Sequence, residues 1–513
     1  MNRRLLAAGV VVVATAGAIA GIGVANAATA PPPLSFVVAT PNVTAERYTD
    51  GENVYLFLDL GVNVIAGQDP FEIRAARKSY ADPIVAQQIG KKKNTTLPAG
   101  MITDFTGLKN FASITVKDQA GATVKSYQTN FCPNSYDSAR TRPDAPASTP
   151  YPRGCNGDNP FTLGAVWGIQ AGWNATVSSQ PNIENFDIPV GDYSVAVAVN
   201  PMFADYFKIK NGTAQLNLKV VDGDRGKGLG LAAARKAQAL EAGLSVETKA
   251  ENGHGDHNGY LPSLRPPAKV PATLKAAPKA GPRPDLRSLP AWGIALEEGT
   301  NEETGETDGK WYVNFGATVW NAGTSPLLVD GFRQTGTELM DAYQYFFDAK
   351  GNQVGSVPAG TMQWDNRDGH KHWHFTDFAQ YNLLSADKKL AVRSGKEAFC
   401  LANTDAVDYT IPNAKWRPEN TDLSTSCGGN TAVAVREVLD IGNGDTYSQY
   451  RPGQSFEVTD LPNGTYYIEV KANPANKLAE TSTTNNTALR EIQLGGTPGA
   501  RTLTVPPVNG IDG

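Results

Sequence analysis

Five histidines occur in 513 residues, and three of them, His370, His372 and His374, fall at every second position of Gly369-His-Lys-His-Trp-His-Phe375. In an extended strand successive side chains point to opposite faces, so these three imidazoles share one face, and Lys371 and Trp373 take the other. Three imidazoles on one face can converge on one metal ion. Imidazole suits copper, zinc, iron or nickel, and the spacing alone does not choose among them. The competing reading is a run of polar residues on an edge strand. Only two further histidines, His254 and His257, occur in the chain, which makes a chance cluster a poor explanation.

More residues of chemical interest follow in order. The histidines open the stretch His370-Lys-His-Trp-His-Phe-Thr-Asp-Phe-Ala-Gln-Tyr-Asn-Leu-Leu384. Next come Gly395-Lys396-Glu397-Ala398-Phe399-Cys400-Leu401, then Asp445-Thr446-Tyr447. Asp460-Leu461, Gly464-Thr465-Tyr466, Asn473-Pro474, Glu480 and Asn485-Asn486 complete the series. Over about 284–495 these segments resemble the lysyl oxidase family. The departures are Gly369 where the animal proteins have a cysteine, a segment after His374 that is one residue shorter, and far fewer cysteines.

The resemblance implies that His370, His372 and His374 bind Cu(II), and that Lys396 and Tyr447 supply lysine tyrosylquinone, an electron sink for a primary amine. It implies oxidation of primary amines, peptidyl lysine among them, by molecular oxygen to an aldehyde with release of ammonia and hydrogen peroxide. Asp377 is the candidate base, or the carboxylate that orients a ligand histidine. Taken singly, Lys396 reads as a solvated charge, Tyr447 as a half-buried strand or turn residue and Asp377 as a strand end. Their common occurrence downstream of the histidines favours the functional reading.

The elements that position these residues read as strands. Short alternating runs such as Val54–Leu58, Val195–Val199 and Tyr466–Val470 recur, and helical periodicity is rare. With 51 Gly and 34 Pro marking turns, the pattern is that of an antiparallel sandwich or barrel. The length suggests two or more domains.

The chain also repeats itself. Ala66-Gly-Gln-Asp-Pro-Phe71 matches Ala322-Gly-Thr-Ser-Pro-Leu327, Leu97-Pro-Ala-Gly100 matches Val357-Pro-Ala-Gly360, and Phe131-Cys132 matches Phe399-Cys400. Further matches follow in the same order, ending with Gly191-x-Tyr193 through Asn200-Pro201 and Gly464-x-Tyr466 through Asn473-Pro474. The expectation is an all-β protein of two related β-sandwich domains, 34–222 and 284–495. A Pro/Ala/Lys-rich linker, 223–283, joins them. It has one possible helix over Leu229–Leu244, an extended stretch from Arg265 to Arg283, and His254 and His257 as solvated loop residues. Residues 496–513 read as a flexible tail. Four cysteines in an exported chain imply two disulfides, and the repeat favours Cys132–Cys155 and Cys400–Cys427.

Only one half carries the chemistry. The first has no histidine, and ten residues separate Gly100 from Phe111 where seventeen separate Gly360 from Phe378. Counting back from the shared Cys and Gly anchors puts Gln128 in place of Lys396 and Asn174 in place of Tyr447. Function lives in sites placed on folds, so deletion of 28–222 is expected to leave the chemistry intact.

Met-Asn-Arg-Arg, an apolar run from Leu5 to Val24 and Ala25-Asn26-Ala27 form a secretory signal peptide over 1–27. The expected protein is secreted and extracellular, with no stable membrane insertion after cleavage. A net charge of −5 gives no reason to expect nucleic-acid binding. The alternative from another class is a non-catalytic secreted metal-binding or adhesion module.

Overall fold

The computed structural model describes residues 33–50, 53–155, 159–179, 186–223, 277–300, 307–334, 336–365, 372–376, 378–393, 398–417, 427–448 and 454–512. The signal peptide, the helix expected over Leu229–Leu244, His254 and His257 lie outside them, as do His370, Asp377 and Lys396.

The fold is all-β. In the N-terminal half the strands that matter are β1 (Leu34–Val38), β2 (Val62–Ala66), β3 (Phe71–Ala76), β4 (Leu108–Lys117), β5 (Gly164–Ile169), β6 (Asn174–Thr176), β7 (Gly191–Val199) and β8 (Thr213–Asp222). Their sequences explain them. In β7, Val195, Val197 and Val199 are buried while the residues between are half-buried, the period-two pattern of a strand with one face on a core. One short helix, α1 (Pro201–Phe207), follows β7, with Pro201 opening it and the Asn200 side chain accepting from the Met202 amide.

The C-terminal half contains β9 (Thr307–Asn321), β10 (Leu327–Arg333), β11 (Leu339–Phe347), β12 (Gln353–Asp365), β13 (His372–Thr376), β14 (Ala379–Ser385), β15 (Ala398–Phe399), β16 (Ala434–Leu439), β17 (Asn443–Tyr447), β18 (Gly464–Ala472), β19 (Thr487–Thr497) and β20 (Ala500–Thr504). One sheet runs β15-β13-β12-β11-β10-β16; a second contains β14-β18-β19-β20. Their inner faces meet in a core that includes Val329, Met340, Phe375, Tyr381, Phe399, Ile468 and Val470. The N-terminal half has a core of its own.

The same neighbours recur in both halves. β7 lies between β4 and β8, and β18 between β14 and β19. β5 pairs with β3, setting Ile169 opposite Phe71, and β16 pairs with β10, setting Leu439 opposite Leu327. Disulfides join Cys132 to Cys155 and Cys400 to Cys427, the local pairing expected.

The C-terminal segment differs from its expectation. Instead of a flexible tail, residues 500–504 form β20 on the edge of β19, and buried Arg501 donates to the Val458 carbonyl at 3.1 and 2.9 Å. Further on, Asp512 accepts from the Gly293 amide at 3.2 Å. The polar composition that reads as solvated chain instead supplies an edge strand and its hydrogen-bond partners.

Candidate active site

β13 is held on both edges. It pairs with β12, placing Asp365 opposite His372 and Gln363 opposite His374, and with β15, placing Phe375 opposite Phe399. Trp373 and Phe375 enter the core. Trp373 is pinned there: its indole N–H donates to the Gly429 carbonyl at 3.1 Å, its amide to the Cys427 carbonyl at 3.0 Å, and the Arg333 guanidinium lies 5.1 Å from its ring. Strand alternation sends His372 and His374 to the opposite face, where both are buried.

There the Nε2 atoms of His372 and His374 are 2.8 Å apart. Two ligands about 2.0 Å from one ion and at right angles to each other would be separated by about 2.8 Å, so the pair fits a shared metal. Asp365 supports this. Its Oδ2 lies 3.4 Å from His374 Nδ1. A carboxylate on Nδ1 favours the tautomer that leaves the Nε2 lone pair for a metal. Sequence reasoning offered Asp377 as a base or as the orienting carboxylate and did not single out Asp365, because pairing across the β12–β13 hairpin depends on a turn length the sequence does not state. Among the described residues no group of three or more His, Cys, Asp or Glu is placed to hold a metal. His370 lies outside them.

Tyr447 ends β17 and is buried at 3% exposure. Its ring meets Phe399 edge-on at 4.8 Å, and its hydroxyl accepts from the Cys400 amide at 3.1 Å. It therefore belongs to the core that Trp373 and Phe375 enter, on the side of β13 away from the histidines. Burial, with Asp445 and Tyr381 adding to it, raises its phenol pKa well above the ordinary value, so the hydroxyl is protonated at neutral pH. The next amide along, that of Leu401, donates to Glu437 Oε2 at 2.9 Å. Thus Tyr447 and Glu437 hold consecutive amides four and five residues beyond Lys396. The disulfide anchors Cys400 to Cys427, and the Cys427 carbonyl in turn holds Trp373 of the histidine strand.

Glu437 and Asp445 are the carboxylates that sequence reasoning left without a role. Both are buried beside Tyr447. The two halves show their distinction. Phe71 pairs with Ile169 and Leu327 with Leu439, the positions that the expected repeat would align, and two residues back from Ile169 and Leu439 stand Trp167 and Glu437. Six residues on reaches Ala175 and Asp445, and eight on reaches Val177 and Tyr447. In that alignment Trp167, Ala175 and Val177 would stand where the second half has two carboxyls and a phenol. Counting from Gly191 and Gly464 gives Asn174 and counting from Ile169 and Leu439 gives Val177, because 14 positions separate Val177 from Gly191 and 17 separate Tyr447 from Gly464.

Burial pushes the Glu437 carboxyl well above the usual range, and Asp445 reinforces this. The folded state thus binds more protons than the unfolded one. The stability this gives is complete below the unfolded carboxyl value and is lost as pH rises through the folded one. Glu437→Gln keeps an acceptor for Leu401 and removes the titration. It is expected to raise Tm by a few degrees at pH 7.5, about 1–3 kcal/mol, and to change nothing near pH 4. Thermal unfolding at the two pH values checks this.

A β-sandwich half with a carboxylate-backed histidine pair on one face of β13 and a buried tyrosine in the core on its other face is the class of protein the fold and site define. The comparisons are more particular. Residues 347–502 match the lysyl oxidase family model, and this part of the chain is a lysyl oxidase domain. Human protein-lysine 6-oxidase is 30% identical over 135 residues, 26% of this chain and 28% of its own length. The pig protein of the same name is 30% identical over 135 residues, covering 48% of its length. Mouse lysyl oxidase homolog 4 is 29% identical over 131 residues, 25% of this chain and 15% of its own. The chain thus spans less than half the length of these relatives.

Proposed function

We propose that the protein is a secreted copper- and quinone-dependent amine oxidase that converts primary amines, peptidyl lysine among them, to aldehydes. The observation that carries the reading is the 2.8 Å separation of two buried histidine Nε2 atoms, with Asp365 behind one of them, inside the region that matches the lysyl oxidase family. His370, two positions before His372, would be the third ligand to Cu(II). Lys396 and Tyr447 would form the lysine tyrosylquinone. When bound, the metal and the quinone would supply the electron chemistry that passes a primary amine's electrons to molecular oxygen, with ammonia and hydrogen peroxide released.

The chain's own groups do the rest. Asp365 holds the proton on His374 Nδ1, and the Cys400 amide fixes the Tyr447 hydroxyl. Asp377, one residue past Thr376 at the end of β13, is assigned as the base for the substrate α-proton or as a second carboxylate on the histidines. Secretion rests on the expected signal peptide. Among the described residues no helix is long and apolar enough to cross a membrane.

The test is colour and reactivity. The purified protein, loaded with Cu(II) in air, is expected to absorb visible light and to react with phenylhydrazine. Replacing His370, His372 and His374 with Ala is expected to remove stoichiometric copper, read by metal analysis, together with the colour. A colourless, unreactive protein that binds copper would favour the non-catalytic metal-binding module. Copper unchanged in the triple variant would move the metal elsewhere.

A further inference from the structure

We infer that the N-terminal half is a positioning element for Tyr447, acting through Asn159 on the back of the strand that carries it. The inference rests on the reading of Tyr447 as a cofactor precursor for its consequence, but not for its geometry. Every residue of β17 is buried, so the strand has a partner on both faces. Asp445 and Tyr447 face the C-terminal core. Gly444 and Thr446 face the other way, opposite Trp320 and Thr318 of β9. Trp320 belongs to a separate cluster with Leu289, Val407 and Phe161, and Phe161 comes from the N-terminal half.

The polar contacts at this seam converge on Thr446, the neighbour of Tyr447. Asn159, 4% exposed, donates from Nδ2 to Thr318 Oγ1 at 2.9 Å and to Asp405 Oδ2 at 3.2 Å. Thr318 Oγ1 lies 2.6 Å from Thr446 Oγ1, and the Thr446 hydroxyl donates to the same Asp405 oxygen. A side chain of the first half thus closes a hydrogen-bonded ring around the strand of the second.

The backbone repeats the link. The Leu163 and Gly164 amides donate to the Val407 carbonyl at 2.7 and 3.1 Å, and the Tyr409 amide donates to the Gly164 carbonyl at 2.9 Å. Within the second half the packing behind β17 is close enough to require a glycine. A Cβ on Gly444 would stand 2.8 Å from both Thr318 Cγ2 and Val407 Cγ2. Buried donors and acceptors that lose one partner rearrange or admit water. Loss of Asn159 therefore loosens β17 from behind, one residue from Tyr447. Deletion of 28–222, which the sequence suggests is harmless, would also strip Phe161 from Trp320, Leu289 and Val407.

The experiment uses the full chain with Asn159→Ala and, as a control, Asn134→Ala. Asn134 is equally buried in the first half but hydrogen-bonds Gly154 and Val166. Two quantities are read: deuterium uptake of the 443–447 segment in metal-free protein, and the rate at which Lys396 and Tyr447 become crosslinked after Cu(II) is added in air. Asn159→Ala is expected to speed exchange in 443–447 at least tenfold and to slow crosslinking at least tenfold, with copper stoichiometry unchanged. Asn134→Ala is expected to change neither. Wild-type values in Asn159→Ala, or equal effects in both variants, overturn the inference. If Asn159→Ala does not fold, Thr318→Val removes the bridging hydroxyl at constant shape and carries the same expectations. If the wild type never crosslinks, the cofactor reading fails, and the exchange result alone decides the positioning claim.

Discussion

Lys396→Arg and Tyr447→Phe, each loaded with copper, are expected to lose amine oxidation by at least about a thousandfold while keeping the metal. The reason is a covalent one. In the proposed chemistry an amine must reach the oxidised tyrosine ring, and arginine stays protonated and cannot attack it. Phenylalanine has no ring oxygen to oxidise. The two residues are 51 positions apart (447 − 396), yet the fold brings their segments together. The Tyr447 hydroxyl accepts from the Cys400 amide at 3.1 Å, and Lys396 is four residues earlier. Four extended residues span at most about 14 Å, a reach that the proposed crosslink requires of the chain between Lys396 and Cys400. Mass spectrometry of a tryptic digest of the wild type is expected to show the two segments joined only after copper and oxygen are supplied. Full activity of Lys396→Arg, or an unmodified Tyr447 peptide from active protein, would move the cofactor to another pair.

The second large effect belongs to the disulfide. Replacing both Cys400 and Cys427 with Ala is expected to cost about 3–4 kcal/mol of stability, the loop entropy that a link across 27 positions removes from the unfolded chain. The effect should reach the site as well. Cys400 carries the amide on Tyr447, and Cys427 carries the carbonyl that holds Trp373 between the two histidines. One covalent bond therefore ties the lysine-bearing segment, the tyrosine and the histidine strand to each other. Denaturant unfolding reads the first consequence. Copper affinity and crosslinking rate, both expected to fall, read the second. An unchanged unfolding midpoint would mean that the noncovalent core alone fixes these segments.

The amino-acid sequence determined what local periodicity can determine. Period-two alternation made the chain all-β and put His372 and His374 on one face of β13. Ordered motifs identified the family, and repeat spacing picked out Cys132–Cys155 and Cys400–Cys427. What it left open are the contacts set by strand pairing and loop length. Asp365 meets His374 because β12 and β13 pair in one register, and a slip of one residue would turn that carboxylate away. Glu437 stands in no motif, and Asp445 stands in the tyrosine's motif without a role of its own; only the packing buries both carboxyls beside Tyr447. The terminal strand β20 and the seam through Asn159 have the same origin. Arg501 reaches Val458, 43 residues away, and Asn159 reaches Thr318 and Asp405, 159 and 246 residues away, and only the packed structure brings each donor and acceptor within hydrogen-bond distance.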